Sequence, residues 1–280
     1  MRKDKLFKFA DNRVFIDIGE GCGNACQYCY LDDADKPQKV FNHNMIDDCI
    51  QEILSNPEFK PGKTGTVISF CPHTEPFKSS FSTKAMIFAI RKLAPYKNLM
   101  QLATKEIIPD FFITEVNDIL DDRQLTAFIS VSSLEKQSCL EPFASDYRKR
   151  FENINKLRGS KVKGCIYLKP FLFEEKEFES LFRLIKEVNP DAVCIGIVYS
   201  HFEKQTTEFL KHPTEDSLLS KGTNDKMHEF CNYIKCANIP VHFTSTCVIA
   251  QLNYLWNNVS IPQELCVSCS EECVKRKWDR

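Results

Sequence analysis

No stretch of this 280-residue sequence approaches the run of about 18 apolar residues that a membrane-spanning helix requires. No membrane association is therefore expected. An excess of charge of one sign is also missing: 37 Lys and Arg stand against 38 Asp and Glu, so no overall field draws a polyanion to the surface. KLRGSKVKG (156–164) and VKRKW (274–278) remain as the only local basic candidates for nucleic-acid contact. The N-terminal MRKDKLFKFADNR is basic but lacks the apolar core and small-residue cleavage site of an export leader. Only nine glycines and thirteen prolines are present, and no segment repeats or simplifies in composition. Without export, thiols are expected to stay reduced, and the expected location is cytoplasmic.

What is present is ordinary for a globular chain that buries a sizeable core: 43% hydrophobic and 27% charged residues. Apolar, β-branched runs alternate with segments of helical period. RVFIDI, GTVISFC, NLMQLATK, LTAFISVSSL, KVKGCIYLKPFL and AVCIGIVYS read as six strands, and helical segments near 45–56, 82–94, 108–120, 147–159 and 174–188 separate them. Such alternation predicts parallel strands with right-handed crossovers. Six units are too few for a closed eight-fold barrel, so a partial (β/α)6 barrel or an open α/β sheet is expected, with reactive groups on loops after strand C-termini. Residues 201–223 read as a polar excursion, a candidate lid. A helix over 224–238 and a strand over 239–246 are expected to follow, then a cysteine-rich, basic tail. The expected division is a barrel domain over 1–240 and an extension over 241–280.

Fourteen cysteines in a reduced chain point to metal or redox chemistry rather than disulfides. GCGNACQYCYL (21–31) places Cys22, Cys26 and Cys29 on the loop after the first strand. A disulfide uses two thiols and a structural zinc site usually four. Three thiolates can hold three irons of a 4Fe–4S cube and leave the fourth open to a ligand. The alternative is a zinc knuckle completed by a distant residue, His43 being the nearest candidate. A second group comprises Cys247, expected at the end of the 239–246 strand, with Cys266, Cys269 and Cys273. These four thiolates read as ligands of a second, auxiliary 4Fe–4S cluster, with structural zinc as the alternative. Cys49, Cys139, Cys165, Cys194, Cys231 and Cys236 lie in apolar or helical runs and read as inert packing.

Cys-x3-Cys-x2-Cys with an aromatic, Tyr28, before the last cysteine resembles the signature of radical S-adenosylmethionine (SAM) enzymes. The resemblance implies a partial barrel and a SAM molecule chelated to the open iron. It also implies reductive cleavage to a 5′-deoxyadenosyl radical that abstracts hydrogen from a substrate. CQYCYL, FCPHTEPF, ATK and the stretch from ISVSSLEKQ to NKLRG are similar to the spore photoproduct lyase branch, across about residues 12 to 200. On that likeness Cys71 takes the place of a thiol hydrogen-atom donor, with Tyr30 a relay toward it. Tyr28 lies beside the adenine, Lys105 meets the SAM carboxylate, and Ser130 or Ser132 contacts SAM. Thr74 and Glu75 occupy the turn that meets the SAM amino group, although that turn lacks the usual glycines. A reducing partner such as flavodoxin or ferredoxin is implied.

The cysteine-rich tail departs from the lyase pattern and favours a peptide or small metabolite as substrate, with nucleic-acid repair or modification as the alternative. A reading of another class is an inactive zinc-binding scaffold.

Overall fold

The computed structural model describes residues 6–10, 12–29, 31, 35–196, 226–227 and 229–253. Strands β1 (Phe7–Ala10) and β2 (Arg13–Ile16) pair antiparallel. A two-stranded hairpin follows, β3 (Gly19–Glu20) against β4 (Lys39–Val40), and it brackets the cysteine loop. The chain then alternates: α1 (His43–Ser55), β5 (Val67–Phe70), α2 (Ser80–Leu93), β6 (Met100–Thr104), α3 (Asp110–Ile119) and β7 (Leu125–Ser130). A short α4 (Gln137–Leu140) and α5 (Tyr147–Leu157) lead to β8 (Lys163–Leu168), α6 (Phe178–Val188) and β9 (Ala192–Ile195). Strand β10 (Val241–His242) and helix α7 (Ser245–Leu252) close the described chain.

The main sheet runs β1-β2-β5-β6-β7-β8-β9-β10, and every pair from β2 onward is parallel. Strand order follows chain order without reversal, which is barrel winding; an open doubly wound sheet would reverse at a switch point. Among the described residues β10 pairs only with β9, so the barrel is left open. The expected partial barrel is what forms, with β10 as a seventh parallel strand.

Strands β7 and β9 are buried along their whole length, because each face of the sheet there has a layer packed on it. Val14, Ile16, Ile68, Phe70, Met100, Leu102, Ile166, Leu168, Val193 and Ile195 belong to one core shared with α1, α2, α3, α5 and α6. The alternate residues Leu99, Phe128, Cys165, Ala192 and Cys194 form a second cluster on the inner face, completed by Val248 and Ile249 of α7. The helices begin where the sequence provides caps. Asn42 accepts from the Met45 N–H at the start of α1, and Ser79 and Ser82 form a reciprocal capping box at the start of α2. Ser79→Ala is expected to cost about 1 kcal/mol in a urea unfolding titration.

Several details differ from expectation. β1 went unanticipated, since Lys8 interrupts its short apolar run. The strand expected over 239–246 stops at His242, because Thr244 caps α7 by accepting from the Cys247 N–H (3.2 Å). Cys247 therefore lies in the first turn of a helix and not at a strand end. β10 hydrogen-bonds β9, so the residues just past the expected boundary at 240 are continuous with the barrel. Cys139 and Cys236 are exposed rather than packed. The candidate lid over 201–223 lies outside the described residues.

Candidate functional site at the barrel mouth

The cysteine loop leaves β3 at the C-terminal end of the parallel strands, where the barrel rule places reactive groups. Gly21, Gly23 and Ala25 all take positive φ (71°, 73° and 48°) and coil the loop tightly. A Cβ on Gly21 would lie 2.8 Å from the Pro37 carbonyl oxygen and 2.9 Å from that of Lys36, so only glycine fits there. Cys22, Cys26 and Cys29 are half-buried thiols with no disulfide between them. The Cys29 N–H bonds the Cys26 carbonyl at 3.0 Å. Burial pushes the Cys22 thiol up to about 12, with the Glu75 carboxylate adding to the effect. Burial also raises Cys26, and the Lys105 ammonium pulls against it.

Among the described residues, no three His, Cys, Asp or Glu side chains converge as a single metal ion requires. His43, the ligand of the zinc-knuckle alternative, instead stacks on Phe88 at 4.3 Å and 2°.

A buried polar network anchors the loop. The Tyr28 hydroxyl hydrogen-bonds Ser132 Oγ (2.8 Å) and the Glu141 carboxylate. Glu141 pairs with Arg150 at 2.6 Å, both side chains being 0% exposed. Arg150 donates further to the carbonyls of Ser130 (2.9 Å) and Ser145 (2.6 Å). The Gln27 N–H bonds the Leu140 carbonyl at 2.8 Å. On the other side Lys78 Nζ reaches Asn24 Oδ1 (2.6 Å), Glu106 Oε1 (2.8 Å) and the Phe143 carbonyl (2.6 Å). Asn24, between the first two cysteines, is thereby fixed.

Lys105 follows β6, and its Nζ sits 5.6 Å from the centre of the Tyr28 ring. Burial opposes its charge, but the neighbouring Cys26 and Glu141 more than offset this and raise its pKa. Glu75 acts as a clamp between the β5 and β6 loops. Its carboxylate accepts from the Lys105 N–H (2.9 Å), the Phe77 N–H (3.3 Å) and the Thr104 hydroxyl, and its carbonyl accepts from Gln38 Nε2 (2.8 Å). Burial, first among the causes, raises the Glu75 pKa.

Cys71 follows β5 with φ of 56°, unusual for a residue other than glycine. Its N–H bonds the Ile16 carbonyl at 2.7 Å, and burial holds its thiol well above the usual range. Ser132 is committed to Tyr28 and Glu141 (3.0 Å). Ser130 Oγ, on the inner face of β7, is buried without a partner.

The structure thus gathers Cys22, Cys26, Cys29, Tyr28, Glu75, Lys105 and Ser132 around one mouth. Cys71 and Thr74 stand beside Glu75. Cys247 lies apart: it is 1% exposed and neighbours Cys194 on the inner face. Tyr30, Cys266, Cys269 and Cys273 lie outside the described residues. Asp17, Asn24, Lys78, Glu141 and Arg150 were not anticipated, although the Glu-Pro after Cys139 could have drawn attention to Glu141.

No protein-family model and no curated protein matches the sequence. Solved structures do match. A spore photoproduct lyase mutant with bound AdoMet and dinucleoside spore photoproduct superposes with a TM-score of 0.62 at 14% identity, covering 82% of this chain and 76% of that one. SuiB of Streptococcus suis bound to precursor peptide SuiA gives a TM-score of 0.56 at 13% identity. That match covers 86% of this chain but only 50% of SuiB. These likenesses show a shared fold, the partial barrel that the cysteine motif implies.

Proposed function

We propose that this chain, with the barrel of spore photoproduct lyase and three thiols at its mouth, is a radical SAM enzyme. The observation that carries the reading is the cysteine loop itself, coiled at the C-terminal mouth with the Lys105 ammonium beside it. Cys22, Cys26 and Cys29 would hold three irons of a 4Fe–4S cluster, leaving the fourth for the SAM amino and carboxylate groups. When bound, cluster and SAM supply the carbon-centred radical that removes hydrogen from the substrate. Lys105 neutralises the SAM carboxylate, and the unpartnered Ser130 hydroxyl offers the cofactor a hydrogen bond. Tyr28, tied by its hydroxyl to Ser132 and Glu141, fixes the loop and presents its ring at the mouth beside the adenine. Thr74 and Glu75 shape the turn facing the SAM amino group, with the Glu75 carbonyl already held by Gln38.

Cys71 is the hydrogen-atom donor in this reading, with Tyr30 relaying toward it. A left-handed cysteine costs backbone energy that a glycine would avoid, and such strain marks a side chain kept for use. Cys247, Cys266, Cys269 and Cys273 form the ligand set of an auxiliary cluster, for which zinc is the alternative. Flavodoxin or ferredoxin supplies electrons. The favoured substrate is a peptide or small metabolite. A nucleic-acid lesion is the second reading, carried by the likeness to the lyase; a salt-sensitive gel shift with DNA or RNA would support it.

Anaerobically reconstituted protein given dithionite and SAM is expected to form 5′-deoxyadenosine, and none would sink the proposal. Lys105→Met is expected to lose one charge-assisted contact of about 1.5–3 kcal/mol, weakening SAM binding about 10- to 100-fold in equilibrium dialysis.

A further inference from the structure

A continuous line of polar groups runs from the core to the surface at the end of β5. Its inner end is the Cys71 thiol, 5% exposed, three residues before Thr74 in the same turn and held next to Asp17 by the bond from the Cys71 N–H to the Ile16 carbonyl (2.7 Å). Thr74 Oγ1 donates to Asp17 Oδ1 at 3.2 Å. The other Asp17 oxygen meets His73 Nδ1 at 2.7 Å, and the His73 N–H bonds Asp17 Oδ1 at 3.1 Å. The Asp17 side chain is 6% exposed and that of His73 48% exposed, so the line ends at solvent. Each member can both take and give a proton: a hydroxyl has one proton and two lone pairs, and imidazole changes charge in the neutral range.

We propose that Thr74, Asp17 and His73 are a proton relay connecting the buried Cys71 thiol to solvent. The inference rests on the reading of Cys71 as hydrogen-atom donor and adds to it a route for renewing the thiol. Once Cys71 has given a hydrogen atom to a substrate radical, it is a thiyl radical. One electron from the low-potential carrier and one proton restore it: Cys71–S• + e⁻ + H⁺ → Cys71–SH. The proton enters at His73, passes through the Asp17 carboxylate to the Thr74 hydroxyl, and reaches sulfur. Cys71 is the catalytic residue in this scheme, and Thr74, Asp17 and His73 act through it. A turn-capping role for Asp17 alone would fix the backbone over 71–74 but would not set the rate of exchange at sulfur.

That rate can be measured without any cofactor. In the full chain, the infrared S–H band of Cys71 is assigned as the one that Cys71→Ser removes. On transfer to D2O, wild type and Thr74→Ser are expected to exchange this band rapidly. Thr74→Val and Asp17→Asn are expected to slow it about 10²-fold, the low end of what a positioned acid–base group contributes. Equal rates in wild type, Thr74→Val and Asp17→Asn overturn the relay, and Thr74→Ser separates loss of the hydroxyl from loss of the fold. Absence of any 5′-deoxyadenosine removes the radical reading beneath it, while the infrared rates still decide whether the thiol is wired to solvent.

Discussion

Replacing Cys26 with alanine is expected to abolish SAM cleavage, a loss of at least about 10⁶-fold, the low end of enzymic acceleration. Reconstituted iron and sulfide should fall together, because an open cube held by two thiolates is exposed to dissociation. Cys22→Ala and Cys29→Ala should do the same. The fold should survive all three, since these thiols are half-buried and belong to neither apolar cluster. Cys49→Ala is the contrasting variant: its thiol lies in the apolar face of α1 and is pushed up to about 12 by burial. It should lose some stability and no iron. Iron retained in full by Cys26→Ala would count against the cluster assignment.

Glu141→Gln should act through the fold. Its carboxylate pairs with Arg150 where neither side chain touches water, so neutralising it strands a buried guanidinium. Breaking such a pair costs about 3–5 kcal/mol, read as a lowered urea midpoint with an unchanged slope. Glu141→Gln/Arg150→Met should be less destabilised than the two single changes summed, because no charge is left unpaired. Full recovery is not expected, since Arg150 also holds the Ser130 and Ser145 carbonyls. Because Glu141 receives the Tyr28 hydroxyl, loosening it should also weaken cluster retention, tying stability to loading through one side chain.

These two experiments mark what the sequence made legible and what it did not. Cys22, Cys26 and Cys29 lie within eight residues, so their spacing alone reports their chemistry. The barrel was legible because strand and helix periods alternate over short distances. Glu141 and Arg150 carry no local signal of a role, because the fold brings Tyr28 to Glu141 across more than a hundred positions. Asp17 and His73 are likewise 56 residues apart, and no local pattern announces them. Cys247 is misplaced by the sequence for a local reason: Thr244 suits the β-branched run of a strand, but its hydroxyl stops one and starts a helix. Neither the spacing of the second cysteine group nor the apolar run before Cys247 shows that this thiol is buried beside Cys194.

Helix α7 has a consequence for how the protein is made. Val248 and Ile249 cover Leu99, Phe128, Cys165 and Cys194 on the inner sheet face, yet they are translated long after those strands. Until the ribosome has released residues 241–252, a nascent barrel carries every described candidate site residue except Cys247 while displaying an uncovered apolar wall. Such a wall is sticky at cellular concentrations. An expression fragment ending at 240 should therefore aggregate, because α7, the last helix among the described residues, is the one that covers the inner wall of the barrel.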